Sequence, residues 1–368
     1  MKFTCSQGAL SRALTTVSKA VSVRTTIPIL KGILLTVKEG ELTLTASDLD
    51  LSIETKMEVQ NCEEGSSVVS AKLFSEIIRK LPNTIISVSL EEGKINISCL
   101  GSEFSILALP AEEFPSIGMV NQLNKIDIDK EILKDLIRKT TFAASIDEKK
   151  GILVGCYLEF TGSKLEAAAL DGFRLAVANS PVECDQSRHV VIPARILNEI
   201  QKILSDSAEE GNISLILDEK RAEIITKETR IIARLLEGEF IKYNDIIPKE
   251  CRTRCTLDRE ELLSSIERAS LLAKEGKNNL IKMSVNADVV EITSRSEEGN
   301  VKESVRSEIE GEPLIIGFNS KYVSDVLKAV GDEEIVLEMS TPTSPCLIKP
   351  ADGDAYTYLV LPVRITAN

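Results

Sequence analysis

The chain reads as an α+β protein in which one unit, two helices packed on β-sheets, is used three times. Matching segments recur about every 120 residues, the signature of a repeated structural unit. They are Val69-Ser-Ala-Lys-Leu-Phe-Ser-Glu-Ile, Ile192-Pro-Ala-Arg-Ile-Leu-Asn-Glu-Ile and Phe318-Asn-Ser-Lys-Tyr-Val-Ser-Asp-Val. Lys72, Arg195 and Lys321 occupy one position of that repeat. Within each unit a helix-period stripe is followed by strand-period alternation, a second stripe and closing strands. Composition agrees: 368 residues suffice for two or three domains. With 43% hydrophobic residues, 4% aromatics and no Trp, the cores must be built from Ile, Leu, Val and Ala.

Ser6 is placed to cap the first helix, whose apolar stripe is Leu10, Leu14, Val17 and Val21. Asp129 caps its counterpart in the second unit, with Ile132, Leu133, Leu136 and Ile137 as the stripe. In the third, Asp258 and Glu261 form a capping box before Leu262, Leu263, Ile266 and Ala269. Each first helix precedes a hairpin, turning at Glu39-Gly40, at Gly162 and between Asn286 and Asp288. The second helices carry Leu73, Phe74, Ile77 and Ile78; Ile196, Leu197, Ile200 and Ile203; and Tyr322, Val323, Val326 and Leu327. Strands close each unit, the last running from Tyr358 toward Ile365 with Pro362 marking an edge or strand end. The count is roughly eight strands per unit, with boundaries near residues 121–125 and 249–253.

A net charge of −13 and a pI near 4.9 argue, taken alone, against a nucleic-acid partner. The charge is segregated, however. The predicted helices are net basic, through Arg12, Lys19, Lys72, Arg79, Lys80, Arg195 and Lys202 among others, while the strand-rich remainder is strongly acidic. Cations in a last helical turn complement the macrodipole in any protein. Triplication could instead gather the helices on one surface that tracks a phosphate backbone without reading sequence. Eight cysteines without repeated CxxC spacing and a single histidine, His189, leave no plausible metal site. No phosphate-binding glycine loop occurs, so no cofactor is expected. No apolar run is long enough to span a bilayer, and a soluble, cytoplasmic protein is expected. Asp171 and Arg174 lie in a tight turn and allow a hydrolase or transferase reading; the acidic balance allows a protein scaffold that binds no DNA.

The segments Met1-Lys-Phe-Thr, Arg24-Thr-Thr-Ile-Pro-Ile-Leu, Ala46-Ser-Asp-Leu-Asp-Leu, Asp171-Gly-Phe-Arg-Leu-Ala and Tyr358-Leu-Val-Leu-Pro-Val-Arg-Ile, in this order, resemble the bacterial DNA sliding clamp family, the beta subunit of DNA polymerase III. The resemblance covers the whole chain. It implies three clamp-type domains, 1–122, 123–250 and 251–368, and a head-to-tail homodimer closing into a six-domain ring around duplex DNA. Such a ring raises processivity by tethering, without a catalytic residue of its own. The implied partners are DNA, a second copy, the replicative polymerase, a clamp loader, repair and translesion polymerases and ligase-type factors.

Carried over residue by residue, Arg24 and the loop holding Lys149 and Lys150 are expected to touch DNA. Lys150 and Gly151 stand where the family favours Arg and then Pro or an aromatic residue, and Lys cannot fork onto a phosphate as Arg does. A partner-peptide cleft is implied at Gly172, Phe173, Arg174, Leu175, Ile241, Ile246, Tyr322, Ser344, Pro345, Val360, Leu361, Pro362, Val363 and Arg364. Phe173 replaces a usual His and Ile241 a usual Pro, and Thr366-Ala-Asn extends past the usual end. The dimer seam is implied at Phe104, Leu271 and Leu272, with Glu297, Glu298 and Glu303 as its acidic side.

Overall fold

A computed structural model describes residues 1–22, 25–118, 125–184 and 187–365, with backbone only at Lys277. Arg24 and the Thr366-Ala367-Asn368 extension lie outside the described residues. The chain forms two compact units, Met1–Lys130 with Lys202–Leu235, and Glu131–Gln201 with Leu236–Asn368.

Among the described residues the six α-helices are α1 Gln7–Val17, α2 Ala71–Lys80, α3 Lys130–Thr140, α4 Ala194–Asp206, α5 Arg259–Ala273 and α6 Ser320–Ala329. They begin where the sequence places them. The Ser6 hydroxyl accepts from the Ala9 N–H at 3.2 Å, and the Asp258 carboxylate from the Glu261 N–H at 2.6 Å. Ser70 and Asn319 cap α2 and α6 in the same way. Three expectations need correction. α1 stops at Val17 rather than Val21, passing into a 3-10 turn at Ser18–Ala20. The run Thr15-Thr16-Val17 is β-branched, and both threonine hydroxyls bond back to carbonyls one turn earlier, which disfavours continuation. Leu73 is 45% exposed, because the 3.6-residue period groups Ala71 with Phe74, Ile77 and Ile78. The last strand, Tyr356–Val360, ends before Leu361, and Pro362 has no N–H to continue the ladder.

All strand pairing is antiparallel. The first unit holds a 13-stranded sheet and the second a 12-stranded one. The anticipated hairpins are present: Glu39 and Gly40, at φ 53° and 83°, form the two-residue turn between Gly32–Lys38 and Glu41–Ser47. The repeats are joined through the main chain. In the first unit, Leu51–Glu58 of repeat one pairs with Thr229–Arg234, the last strand of repeat two, Leu51 facing Ala233 and Thr55 facing Thr229. In the second unit, Arg174–Pro181 pairs with Tyr356–Val360, the last strand of repeat three, Arg174 facing Val360 and Ala178 facing Tyr356. Each junction thus joins the fourth strand of one repeat to the final strand of the next.

Two strands of the same types keep one open side among the described residues. Ser102–Leu107, in the last strand of repeat one, pairs only with Lys94–Cys99, and its second side is taken only beyond it, at Ala108 and Leu109. Gly299–Arg306, in the fourth strand of repeat three, pairs only with Val289–Ser296.

Candidate functional site

The residues expected to form a peptide cleft gather in the second unit, beside the junction of Arg174–Pro181 with Tyr356–Val360. Its floor is an apolar cluster drawn from both repeats, Ala168, Leu170, Leu175 and Val177 with Leu347 and Leu359, covered by Phe240, Tyr243 and Ile247 of the connecting segment. Tyr243 stacks edgewise on Tyr157 and Phe240 and donates to Glu166 at 2.5 Å. Burial and that bond push its hydroxyl well above the usual tyrosine range, so it stays a donor.

Above this floor, Phe173, Ile241, Ile246 and Leu361 remain exposed, by 53%, 42%, 46% and 36%. An apolar group of this kind, rimmed by polar side chains, has the character of a docking surface. Leu361 is fixed by its N–H bond to the Phe173 carbonyl at 2.9 Å, and Val363 by its bond to the Gly317 carbonyl at 2.8 Å. Tyr322, Ser344, Pro345, Pro362 and Val363 are half-buried along the rim, and Arg364 is exposed. Leu175 and Val360 are fully buried and support the floor from beneath. Gly172, at φ 93°, lets the chain turn between Asp171 and Phe173.

Arg174 organises the rim. Its side chain is 8% exposed and donates to Asp171 at 3.1 Å, to Asp325 at 2.6 Å and to the Phe142 carbonyl at 2.6 Å. Its guanidinium lies 4.7 Å from the Tyr322 ring centroid and 5.4 Å from that of Phe142. Tyr322 stacks on Phe173 at 6.0 Å, and the Lys150 ammonium lies over the Phe173 ring at 5.5 Å while donating to the Asp171 carbonyl at 2.7 Å. The result is an alternating ladder of cations and rings that holds Phe173 at the cleft edge. Asp171 also accepts the Phe173 and Arg174 N–H groups, at 2.8 and 3.1 Å. A carboxylate so saturated is structural, which removes the enzymatic reading of Asp171 and Arg174. Phe142 and Asp325 are the members of this site that sequence reasoning missed.

Basic side chains on the helices fall into two groups. Arg12, Lys72, Arg79 and Lys80 of α1 and α2 are exposed and make no side-chain ion pair among the described residues. Lys19 is bound to Asp206 at 2.8 Å. Arg195 and Lys202 of α4 and Lys149 of its loop are exposed. On α3, Lys134 pairs with Glu131, while Arg138 and Lys139 share Asp135. On α5 and α6, Arg268 pairs with Glu303 at 2.6 Å, Lys328 with Glu267 at 2.8 Å and Lys321 with Asp325 at 2.7 Å.

The residues expected at a dimer seam lie on or beside the open strand sides. Phe104 is 40% exposed on Ser102–Leu109, and Glu303 lies on Gly299–Gly311, which follows the turn holding exposed Glu297 and Glu298. Leu271 is 66% exposed and Leu272 half-buried at the end of α5. Arg268 holds the Glu303 carboxyl below the usual carboxylate range. Among the described residues there is no metal-binding cluster, and His189 is an exposed strand residue stacked on Tyr157 at 5.7 Å.

A thrice-repeated unit of two helices on antiparallel sheet, joined strand to strand and bearing a group of exposed apolar side chains, defines a clamp-type α+β protein. Comparison with known proteins gives the same class. The N-terminal, C-terminal and central domain patterns of the DNA polymerase III beta subunit match residues 1–118, 244–364 and 127–242. The beta sliding clamp of Bacillus subtilis is 36% identical over 99% of this chain and its own full length. The crystal structure of the Bacillus subtilis DNA polymerase sliding clamp superposes with a TM-score of 0.95 at 34% identity, covering 100% of both chains. That of the Thermotoga maritima beta subunit gives 0.93 at 31% identity, covering 99% of this chain and 100% of its own. The chain belongs to the DNA polymerase III beta subunit family, the bacterial sliding clamps.

Proposed function

We propose that two copies of this chain close head to tail into a ring that encircles duplex DNA and tethers a replicative polymerase, acting as a processivity factor without chemistry of its own. One observation carries this reading. Both repeat junctions use the fourth strand of one repeat against the last strand of the next, and the same two strand types are left open at Gly299–Arg306 and Ser102–Leu107. Applying the junction rule once more, between copies, completes a closed heterologous assembly. The residues Phe104, Leu271, Leu272, Glu297, Glu298 and Glu303 then line the seam. The reading divides the chain into domains 1–122, 123–250 and 251–368.

In this assembly DNA is held by diffuse charge rather than base contacts, through Arg24, Lys149, Arg12, Lys72, Arg79, Lys80, Arg195 and Lys202, with smaller shares from Lys19 and Lys150. The cleft of the second unit takes an extended peptide with apolar anchors. Polymerases, an ATP-driven loader, repair and translesion polymerases and ligase-type factors compete for it in the cytoplasm. Among the described residues no helix is long and apolar enough to cross a membrane.

The closing experiment targets the open strands. Leu272→Asp, and separately Ser304→Pro on the open side of Gly299–Arg306, should turn the dimer into a folded monomer by analytical ultracentrifugation. Burying an unpaired charge costs several kcal/mol, roughly what a modest interface supplies. An unchanged sedimentation coefficient in both variants would place the interface elsewhere.

A further inference from the structure

The first unit contains a recess of about 320 Å³ beside its own repeat junction. One wall is the turn before Leu51. There Asp48 accepts the Asp50 and Leu51 N–H groups at 3.0 and 2.7 Å, and Leu49 sits at φ 78°. This is the turn of the second unit's cleft built again, with Asp48 for Asp171, Leu49 for Gly172 and Asp50 for Phe173. The opposite wall is a matching turn in which Asp218 accepts the Lys220 and Arg221 N–H groups, both at 2.7 Å. The floor also follows the pattern, since Ile216 and Ile232 are buried and packed against Ile117 of the connecting segment, where the second unit uses Tyr243 and its neighbours.

The chemistry of the recess is different. Its lining brings together Lys220, Arg221 and Arg234 against one acid, Asp50, whose nearest approach to Arg234 is a loose 3.9 Å. Arg221 is half-buried, and neither it nor Lys220 has a side-chain partner among the described residues. The bare Cα of Gly118 makes room for the Arg221 guanidinium; a Cβ there would lie 2.3 Å from its Nη1. A partly desolvated guanidinium without a counter-ion, over an aliphatic floor, is complementary to a carboxylate carried next to an apolar group.

We propose that this recess is a second docking pocket, taking an extended peptide segment in which an acidic side chain adjoins an aliphatic one. Arg221 would fork onto the carboxylate, and Ile117, Ile232 and the exposed Leu49 would receive the neighbour. A duplex is the poorer fit: its phosphates ride on a convex ridge that gains nothing from a recessed aliphatic floor, and Asp50 repels them at the lip. The pocket is independent of the second unit's cleft, and its test does not depend on ring closure.

The full-length protein, labelled with a fluorophore, is applied to an array of random octapeptides as wild type, Arg221→Gln, Arg221→Glu and a form lacking Leu361–Asn368. A set of peptides carrying Asp or Glu beside Leu or Ile should bind wild type and the truncated form alike. It should weaken about tenfold with Arg221→Gln, vanish with Arg221→Glu, and fail when the acid is replaced by its amide. Both variants should melt as wild type does, since the side chain they replace has no partner to lose. The absence of any Arg221-dependent peptide set would overturn the proposal. So would Arg221 dependence confined to a short duplex DNA offered in parallel.

Discussion

At the scale of single residues, Arg174 shows how a charged group can be buried beside an apolar docking surface. Two carboxylates, a carbonyl and two ring faces satisfy it, so removing it strands Asp171 and Asp325; breaking such a buried network costs about 3–5 kcal/mol. Part of this was legible in the sequence, because Asp171-Gly172-Phe173-Arg174 has the spacing of a tight turn. The rest was not. Asp325 lies 151 residues and Phe142 32 residues from Arg174, and no local pattern encodes contacts made by folding distant repeats together. Lys150 illustrates the same limit, since its position in a loop expected to touch DNA gave no sign that its ammonium caps Phe173. The cysteines yield a direct prediction at this scale. Burial raises the Cys5, Cys156 and Cys255 thiols to about 12 and that of Cys346 further still. Cys62 and Cys251 are exposed. A thiol-disulfide reagent at pH 8 should therefore label Cys62 and Cys251 rapidly, Cys184 more slowly, and the buried thiols only on unfolding. Fast labelling of Cys156 or Cys346 would contradict the packing described.

At the scale of elements, the helices and hairpins were readable because caps, turns and periodicity are local properties. The errors fell where local rules compete. The β-branched run at Thr15–Val17 ended α1 early, and Pro362 ended the last strand. Charge counting along the helices also misled in detail, for Arg268, Lys328 and Lys321 of α5 and α6 are paired with Glu303, Glu267 and Asp325. Only the three-dimensional pairing separates them from the unpaired group on α1 and α2. The segment after the last strand is the element most exposed to test. Leu361 reaches the Phe173 carbonyl through its main chain, so deleting Leu361–Asn368 removes one wall of the cleft and leaves both open strands untouched. Fluorescence anisotropy with a peptide from the tail of a cognate replicative polymerase should register a loss of binding of at least about tenfold, since the wall's aliphatic burial is worth roughly 1.5–3 kcal/mol per side chain. Sedimentation should register an unchanged dimer. Full retention of peptide binding would move the docking site away from this cleft.

At the scale of the whole molecule, the repeat itself was the strongest signal in the sequence, because the Lys72, Arg195 and Lys321 segments align without any structural knowledge. The sequence could not reveal that the repeats are sewn together by strand pairing, with two strands of the same types left open among the described residues. The proposed closure would explain how a chain of net charge −13 can hold DNA. Binding does not need tight electrostatic contact when the ligand is threaded, so salt that screens phosphate contacts should leave a threaded complex in place. Retention by topology and retention by affinity therefore give opposite results in one measurement. The protein is loaded by its cognate loader onto a nicked circular plasmid, the salt is raised to about 0.5 M, where phosphate contacts are largely lost, and the complex is followed by gel filtration before and after the plasmid is cut to a linear form. Persistence on the circle and release from the linear form is the predicted result; equal loss from both, or equal retention on both, would contradict the ring.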